Sequence, residues 1–122
     1  MVWPGDKANL RVGDTIGFYP PVNPYYPNAF LFIKQVAGVA GDRVEFGGEF
    51  SQGADFYING RRLGIAKAFS RGGKTLQHSA GGVIPPGYVF AWTPHSDSFD
   101  SRYTVVGLIP ATQVVVGAQR LF

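Results

Sequence analysis

Glycine and proline punctuation constrains this chain more than any other feature. Seventeen glycines and nine prolines, scattered over 122 residues, separate short runs rich in β-branched and aromatic side chains. Proline cannot donate to a strand ladder and glycine supplies turn conformations that other residues avoid, so this spacing leaves little room for long helices. The expectation is an all-β fold, an antiparallel, barrel-like folded sheet with little helix. An apolar share of 45% against 16% charged is that of a globular chain rather than a disordered tail. At this length one domain, 1–122, with room for one site, is expected.

The strands follow from the runs between breakers. Val12-Gly13-Asp14 turns into a first strand over 15–19, which Pro20-Pro21 stops. Residues 22–28, with two prolines and two tyrosines, read as an extended connection. A strong strand over 29–36, a turn over 38–42 and a strand over 43–46 predict a hairpin. Asn59-Gly60 between strand-like runs in 55–63 predicts a tight type I′ turn. Residues 67–82 are polar and poorly periodic, and read as a long surface excursion with a brief strand near Thr75-Leu76. Pro85-Pro86-Gly87 is a turn before a strand over 88–92, and further strands are predicted over 103–106 and 113–116. The opening Met1-Val2-Trp3-Pro4-Gly5-Asp6 carries no charged leader and reads as a cut end. Trp3, Tyr25 and Tyr26 are expected to pack against extended segments rather than touch a bilayer.

Charge and cysteine content exclude several function classes. The net charge is +3, with the excess gathered in Arg61, Arg62, Lys67, Arg71 and Lys74. That pattern gives weak attraction to anions, but no groove-reading helix or aromatic RNA motif accompanies it, so nucleic acid is not an expected partner. Without cysteine there are no disulfides, thiolate metal sites or cysteine nucleophiles. His78 and His95, the two histidines, belong to no metal-ligand cluster and read as surface residues, so neither a metal nor another cofactor is expected. No run approaches the ~20 apolar residues of a membrane span.

Two segments carry chemistry. In 29–36, alternation places Phe30, Phe32, Lys34 and Val36 on one face and Leu31, Ile33 and Gln35 on the other. A lysine among aromatics either reaches its charge out to the sheet edge or is desolvated, which lowers its pKa and lets it accept a proton near neutral pH. The second segment is Thr93-Pro94-His95-Ser96-Asp97-Ser98-Phe99-Asp100-Ser101-Arg102. Serine and aspartate cap neighbouring amides and an aspartate two residues from an arginine forms a structural ion pair, so a rigid turn is one reading and a catalytic element the other. Ser98 and Ser101 lack the glycine of a nucleophile elbow, and neither is expected to attack substrate.

The order of these motifs resembles the type I signal peptidase family of serine peptidases, and within it the branch that matures pilins for conjugative transfer. Val12-Gly13-Asp14-Thr15-Ile16-Gly17-Phe18 is similar to the family's Gly-Asp strand. Lys34-Gln35-Val36-Ala37-Gly38-Val39-Ala40-Gly41-Asp42 is similar to its Lys-x-Val-x-Gly-x-x-Gly-Asp motif, and Ser98-Phe99-Asp100-Ser101-Arg102 to its Ser-x-Asp-Ser-Arg motif. Tyr57-Ile58-Asn59-Gly60 and Ile84-Pro85-Pro86-Gly87-Tyr88 fall where family members carry similar turns.

The resemblance implies a barrel-like β fold and a Ser/Lys-dyad endopeptidase. It makes Lys34 the general base, Ser98 the serine that orients the lysine, Asp100 and Arg102 an ion pair bracing the turn, and Gly41 and Asp42 the shapers of the loop behind the lysine. It also implies a signal-bearing, pilin-like precursor as substrate, and a membrane-anchored full-length protein working at the periplasmic face of the inner membrane.

Two departures qualify the resemblance. No serine precedes Ser51, so the family's nucleophilic Ser-x-Pro segment and adjacent membrane anchor are expected outside these residues, and this portion alone is expected to be inactive. Thr93-Pro94-His95-Ser96-Asp97 also replaces the longer Gly-Asp-Asn-Arg-Asp-Asn run of general signal peptidases, which favours the conjugation branch. Two other readings stand beside this one: a self-cleaving repressor-type Ser/Lys domain, and a non-catalytic β module that binds extended peptides along a sheet edge.

Overall fold

A computed structural model describes residues 9–25 and 30–118. The strands are β1 (Thr15–Phe18), β2 (Phe32–Gly38), β3 (Arg43–Phe50), β4 (Gly53–Ile58), β5 (Arg61–Lys67), β6 (Gly82–Val83), β7 (Tyr88–Trp92), β8 (Ile109–Pro110) and β9 (Val114–Ala118). They form two antiparallel sheets, of order β8-β7-β2-β1-β9 and β5-β4-β3-β6, and one of them is nearly closed like a barrel. The all-β, barrel-like expectation holds. Pro110 sits in edge strand β8, where its missing N–H leaves no ladder partner unsatisfied.

Alternation decides which face each strand buries. Phe32 and Val36 of β2 are buried while Ile33 and Gln35 are exposed, as their parity requires. In β4, Ala54, Phe56 and Ile58 point inward. The larger core cluster joins Ile16, Phe18, Phe32 and Val36 to Val89 and Val114, and Ala66 of β5 reaches it from the smaller sheet. A second cluster gathers Val44, Phe56, Ile58, Ile84 and Phe90. Each large apolar side chain so buried contributes roughly 1.5–3 kcal/mol before conformational entropy is counted.

The Asn59-Gly60 turn forms as its sequence predicts, with φ of 52° and 80° joining β4 to β5. The predicted β2/β3 hairpin does not form. β2 pairs with β1 and β7, whereas β3 pairs with β4 and β6, so the 38–42 turn passes the chain from one sheet to the other. Backbone bonds from Gly41 to Ile84 and from Ile84 to Asp42, each 2.8 Å, fasten that turn to the residues after β6. Gly38 packs closely at the crossing: a Cβ there would lie 2.8 Å from the end of the Ile84 side chain, which would have to shift.

The strand predicted over 103–106 is a turn instead. Val106 and Gly107 both donate to the Tyr103 carbonyl, and Tyr103 makes one isolated bridge to His78. Within 67–82, Phe69 bridges Thr75 around a small turn, in line with the brief strand expected there. His78 is half-buried and stacks on Phe46 at 4.4 Å, so it is not the plain surface residue its sequence context implied, whereas His95 is exposed. Tyr25 packs on the Phe99 ring at 5.2 Å, while Trp3, Tyr26, the opening segment and the Ala29 end of the predicted strand lie outside the described residues.

Candidate active site

The lysine is positioned by register. β2 is the middle strand of its sheet, with Ile16 of β1 opposite Lys34 on one side and β7 on the other, where Val36 faces Ala91. The Gly13-Asp14 turn holds the strand two residues further on: Gly13 donates to the Val36 carbonyl and Val36 to the Asp14 carbonyl, both at 2.8 Å. Because β7 leads directly into the 93–102 turn, its pairing with β2 brings Lys34 and Ser98, 64 positions apart, into contact.

Lys34 Nζ lies 2.9 Å from Ser98 Oγ and 5.3 Å from the centre of the Phe32 ring. The Ser98 hydroxyl donates to Asp100 Oδ2 at 2.6 Å. With that single hydrogen committed, the serine oxygen receives an N–H from the lysine. A neutral amine so held keeps its lone pair free to accept a proton from elsewhere.

Asp100 is fully buried and takes five donors. The Ser98 hydroxyl, the Thr93 amide and Arg102 Nη2 reach Oδ2, and the Arg102 amide and Nε reach Oδ1. Arg102, 1% exposed, also donates to the carbonyls of Ile65 and Thr93 and lies 4.8 Å over the Phe56 ring. A planar guanidinium fork suits this two-point hold on a carboxylate, and no buried side-chain nitrogen or oxygen is left without a partner among the described residues. Ser101 is buried and structural: its Oγ accepts the Ala91 amide at 2.9 Å.

This arrangement sets the electrostatics of the lysine. Burial pushes its amine below the ordinary 10.5, Asp100 pulls it back up, and Arg102 pushes it down again. Arg102 thereby opposes the upward pull of the carboxylate, and desolvation sets the net downward direction.

Of the residues singled out from sequence, Lys34, Ser98, Asp100 and Arg102 form one connected cluster. Gly41 and Asp42 belong to a different one. Gly41 takes a φ of +92°, and Asp42 accepts the Val39 amide and the Asn59 side-chain amide, which ties the β2/β3 crossing to the β4/β5 hairpin. Three contributors escaped the sequence reading: the Ile65 and Thr93 carbonyls, which no side-chain pattern announces, and Lys67, which pairs with Asp97 on the same turn. Among the described residues no three His, Asp or Glu side chains gather as a metal ion would require, and no helix is long and apolar enough to cross a membrane.

Similarity to known proteins gives the family of the chain. The chain matches the family model described as signal peptidase, peptidase S26, over residues 4–122. The conjugal transfer protein TraF of Agrobacterium fabrum is 28% identical, over 99% of this chain and 75% of that protein. A probable conjugal transfer protein TraF of Sinorhizobium fredii is 37% identical over 73% of this chain, which spans 44% of it. The conjugal transfer protein TraF of Agrobacterium tumefaciens is 32% identical, over 93% of this chain and 69% of that protein. The chain belongs to the signal peptidase S26 family, on the branch of the conjugal transfer TraF proteins.

Proposed function

We propose that this chain is the lysine-bearing part of a Ser/Lys endopeptidase that removes the signal segment of an exported precursor, a pilin used in conjugation. The observation that carries the reading is the Lys34–Ser98–Asp100 chain of hydrogen bonds around a half-buried amine. The conjugal transfer names of its relatives favour a pilin precursor.

In the reaction, the neutral Lys34 amine takes the proton of a nucleophilic serine as its oxygen attacks the scissile carbonyl. The resulting ammonium passes that proton to the leaving amine, and the freed lysine then activates the water that releases the acyl-enzyme. Ser98 holds the amine in one orientation throughout and is a positioning residue. Asp100, reached through Ser98, stabilises the ammonium while it exists, and Arg102 limits that effect, so that the amine gives up its proton more readily than an ordinary lysine.

The nucleophile in this scheme is a serine outside the 122 residues, so this portion alone is inactive. The intact protein works at the periplasmic face of the inner membrane. The exposed Phe30, Leu31 and Ile33, at the start of the lysine strand, offer apolar surface for that setting. The direct test is precursor processing by the intact protein. Lys34→Ala is expected to abolish it, and continued processing by that variant would refute the mechanism.

A further inference from the structure

The turn that presents Ser98 and Asp100 to the lysine has a second side. Asp97, Phe99 and Tyr103 interleave with the cluster residues along the chain, and they line a cavity of about 320 Å³ that the lysine cluster does not use. The opposite wall is the 67–76 excursion together with Tyr25. That excursion is not simply a solvated loop. Tyr25 donates to the Thr75 carbonyl, Lys74 donates to the Pro24 carbonyl at 3.0 Å, and the Lys67 amide donates to the Tyr103 hydroxyl at 2.8 Å.

Lys67, Arg71 and Lys74 line this cavity against a single carboxylate, Asp97. Lys67 is paired with Asp97, and Lys74 lies 5.6 Å over the Tyr25 ring. Among the described residues no hydrogen bond or ion pair engages the Arg71 guanidinium, although its charge helps hold Asp97 below the usual carboxylate range after the Lys67 hydrogen bond and the Lys67 charge. A fork of this kind beside surplus positive charge fits a carboxylate. The remaining wall is aromatic: Phe99 stacks on Tyr103 at 5.9 Å and meets Tyr25 at 5.2 Å. Phe99 also packs edge-on against Phe32 at 6.1 Å, the ring that lies beside Lys34. The cavity is therefore separated from the lysine by two aromatic rings.

We propose that this cavity is a recognition subsite for a peptide carboxylate, gripped by Arg71 with an apolar neighbour against Tyr25 and Phe99. It confers on the peptidase a preference for precursors with an acidic side chain, or a C-terminal carboxylate, near the scissile bond. The inference rests on the peptidase reading for its purpose but not for its test, because binding needs no nucleophile.

The experiment titrates the isotope-labelled chain with acetyl-Ala-Phe-Glu-Ala-amide, its Gln counterpart, acetyl-Ala-Phe-Ala-Ala as free acid and as amide, and inorganic phosphate, following backbone amides by NMR. Either the Glu peptide or the free acid is expected to bind about tenfold more tightly than its neutral partner, and to shift amides in 67–76 and 97–103. Which of the two does so identifies the source of the carboxylate. Arg71 is exposed, so Arg71→Gln is expected to fold normally, shown by an unchanged spectrum elsewhere, and to bring charged and neutral peptides within about twofold of each other.

Equal binding of charged and neutral peptides, shifts confined to other regions, or phosphate shifting the same amides as strongly as the best peptide would each overturn the proposal. The two readings also fail separately. Lost carboxylate discrimination with processing that still depends on Lys34 refutes the subsite alone, and processing independent of Lys34 refutes the catalytic reading alone.

Discussion

Two aspartate–arginine pairs in this molecule are built with nearly the same bond length and do different things. Asp100 and Arg102 meet at 2.8 Å with side chains 0% and 1% exposed, while Asp55 and Arg62 meet at 2.9 Å with side chains 26% and 55% exposed. The first pair has given up its water, so every donor and acceptor must be met within the protein, and the five donors to Asp100 meet that need. The second bridges adjacent strands β4 and β5 in a medium that screens it. Distance alone does not distinguish them. What separates them is how much solvent each would regain if broken, and the buried pair influences the charge of a neighbouring lysine.

The largest expected effect breaks the buried pair. Arg102→Met leaves Asp100 uncompensated in the interior and is expected to cost about 3–5 kcal/mol in denaturant unfolding. A loss comparable with that of an exposed pair would remove the distinction between the two.

A smaller effect concerns pH. The folded-state pKa of Lys34 lies below its ordinary 10.5, so between the two values the unfolded chain binds the extra proton and stability rises with pH. Tyr103 acts in the opposite sense and later: burial raises its pKa above 10.0, so its contribution lowers stability as pH climbs past that value. Unfolding measured from neutral pH to about 10 is expected to show the rise in the native chain and a flatter profile in Lys34→Met. Identical profiles would mean that Lys34 is ordinary. The smallest effect is that of Arg62→Ala, expected to cost under about 1 kcal/mol and to shrink further in high salt.

The sequence was most legible where local chemistry and final structure coincide. Asn59-Gly60 dictates its hairpin because the required backbone angles are properties of those two residues. Alternation in β2 correctly placed Lys34 on the face of Phe32 and Val36. The β2/β3 crossing was not legible, since a turn signal at 38–42 states that the chain reverses and not which sheet the returning strand joins; the partners of that turn, the backbone of Ile84 among them, are distant in sequence. The 103–106 run has strand-like composition, yet its backbone closes back on Tyr103 because the buried Asp100–Arg102 turn fixes where it begins.

The candidate site divides in the same way. Ser98, Asp100 and Arg102 are near neighbours, and their capping and pairing were readable from residue type. The meeting of Lys34 with Ser98 depends on pairing between β2 and β7, which spacing does not encode, and family resemblance supplied that link. The roles of Ile65 and Thr93 rest on main-chain carbonyls and leave no mark on side-chain identity. Lys67 and Arg71 were visible only as surplus charge until the 69–75 turn placed them against Asp97 and Phe99.

Burial holds the Lys34 amine below the ordinary lysine value, and its titration can be followed at the nitrogen itself. Side-chain NMR of the isotope-labelled lysine against pH is expected to show titration below 10.5, with Arg62→Ala leaving the value unchanged. Titration of Lys34 at the ordinary lysine value would contradict the account: the buried Asp100–Arg102 pair would then brace a turn and nothing more, and the lysine would be no base.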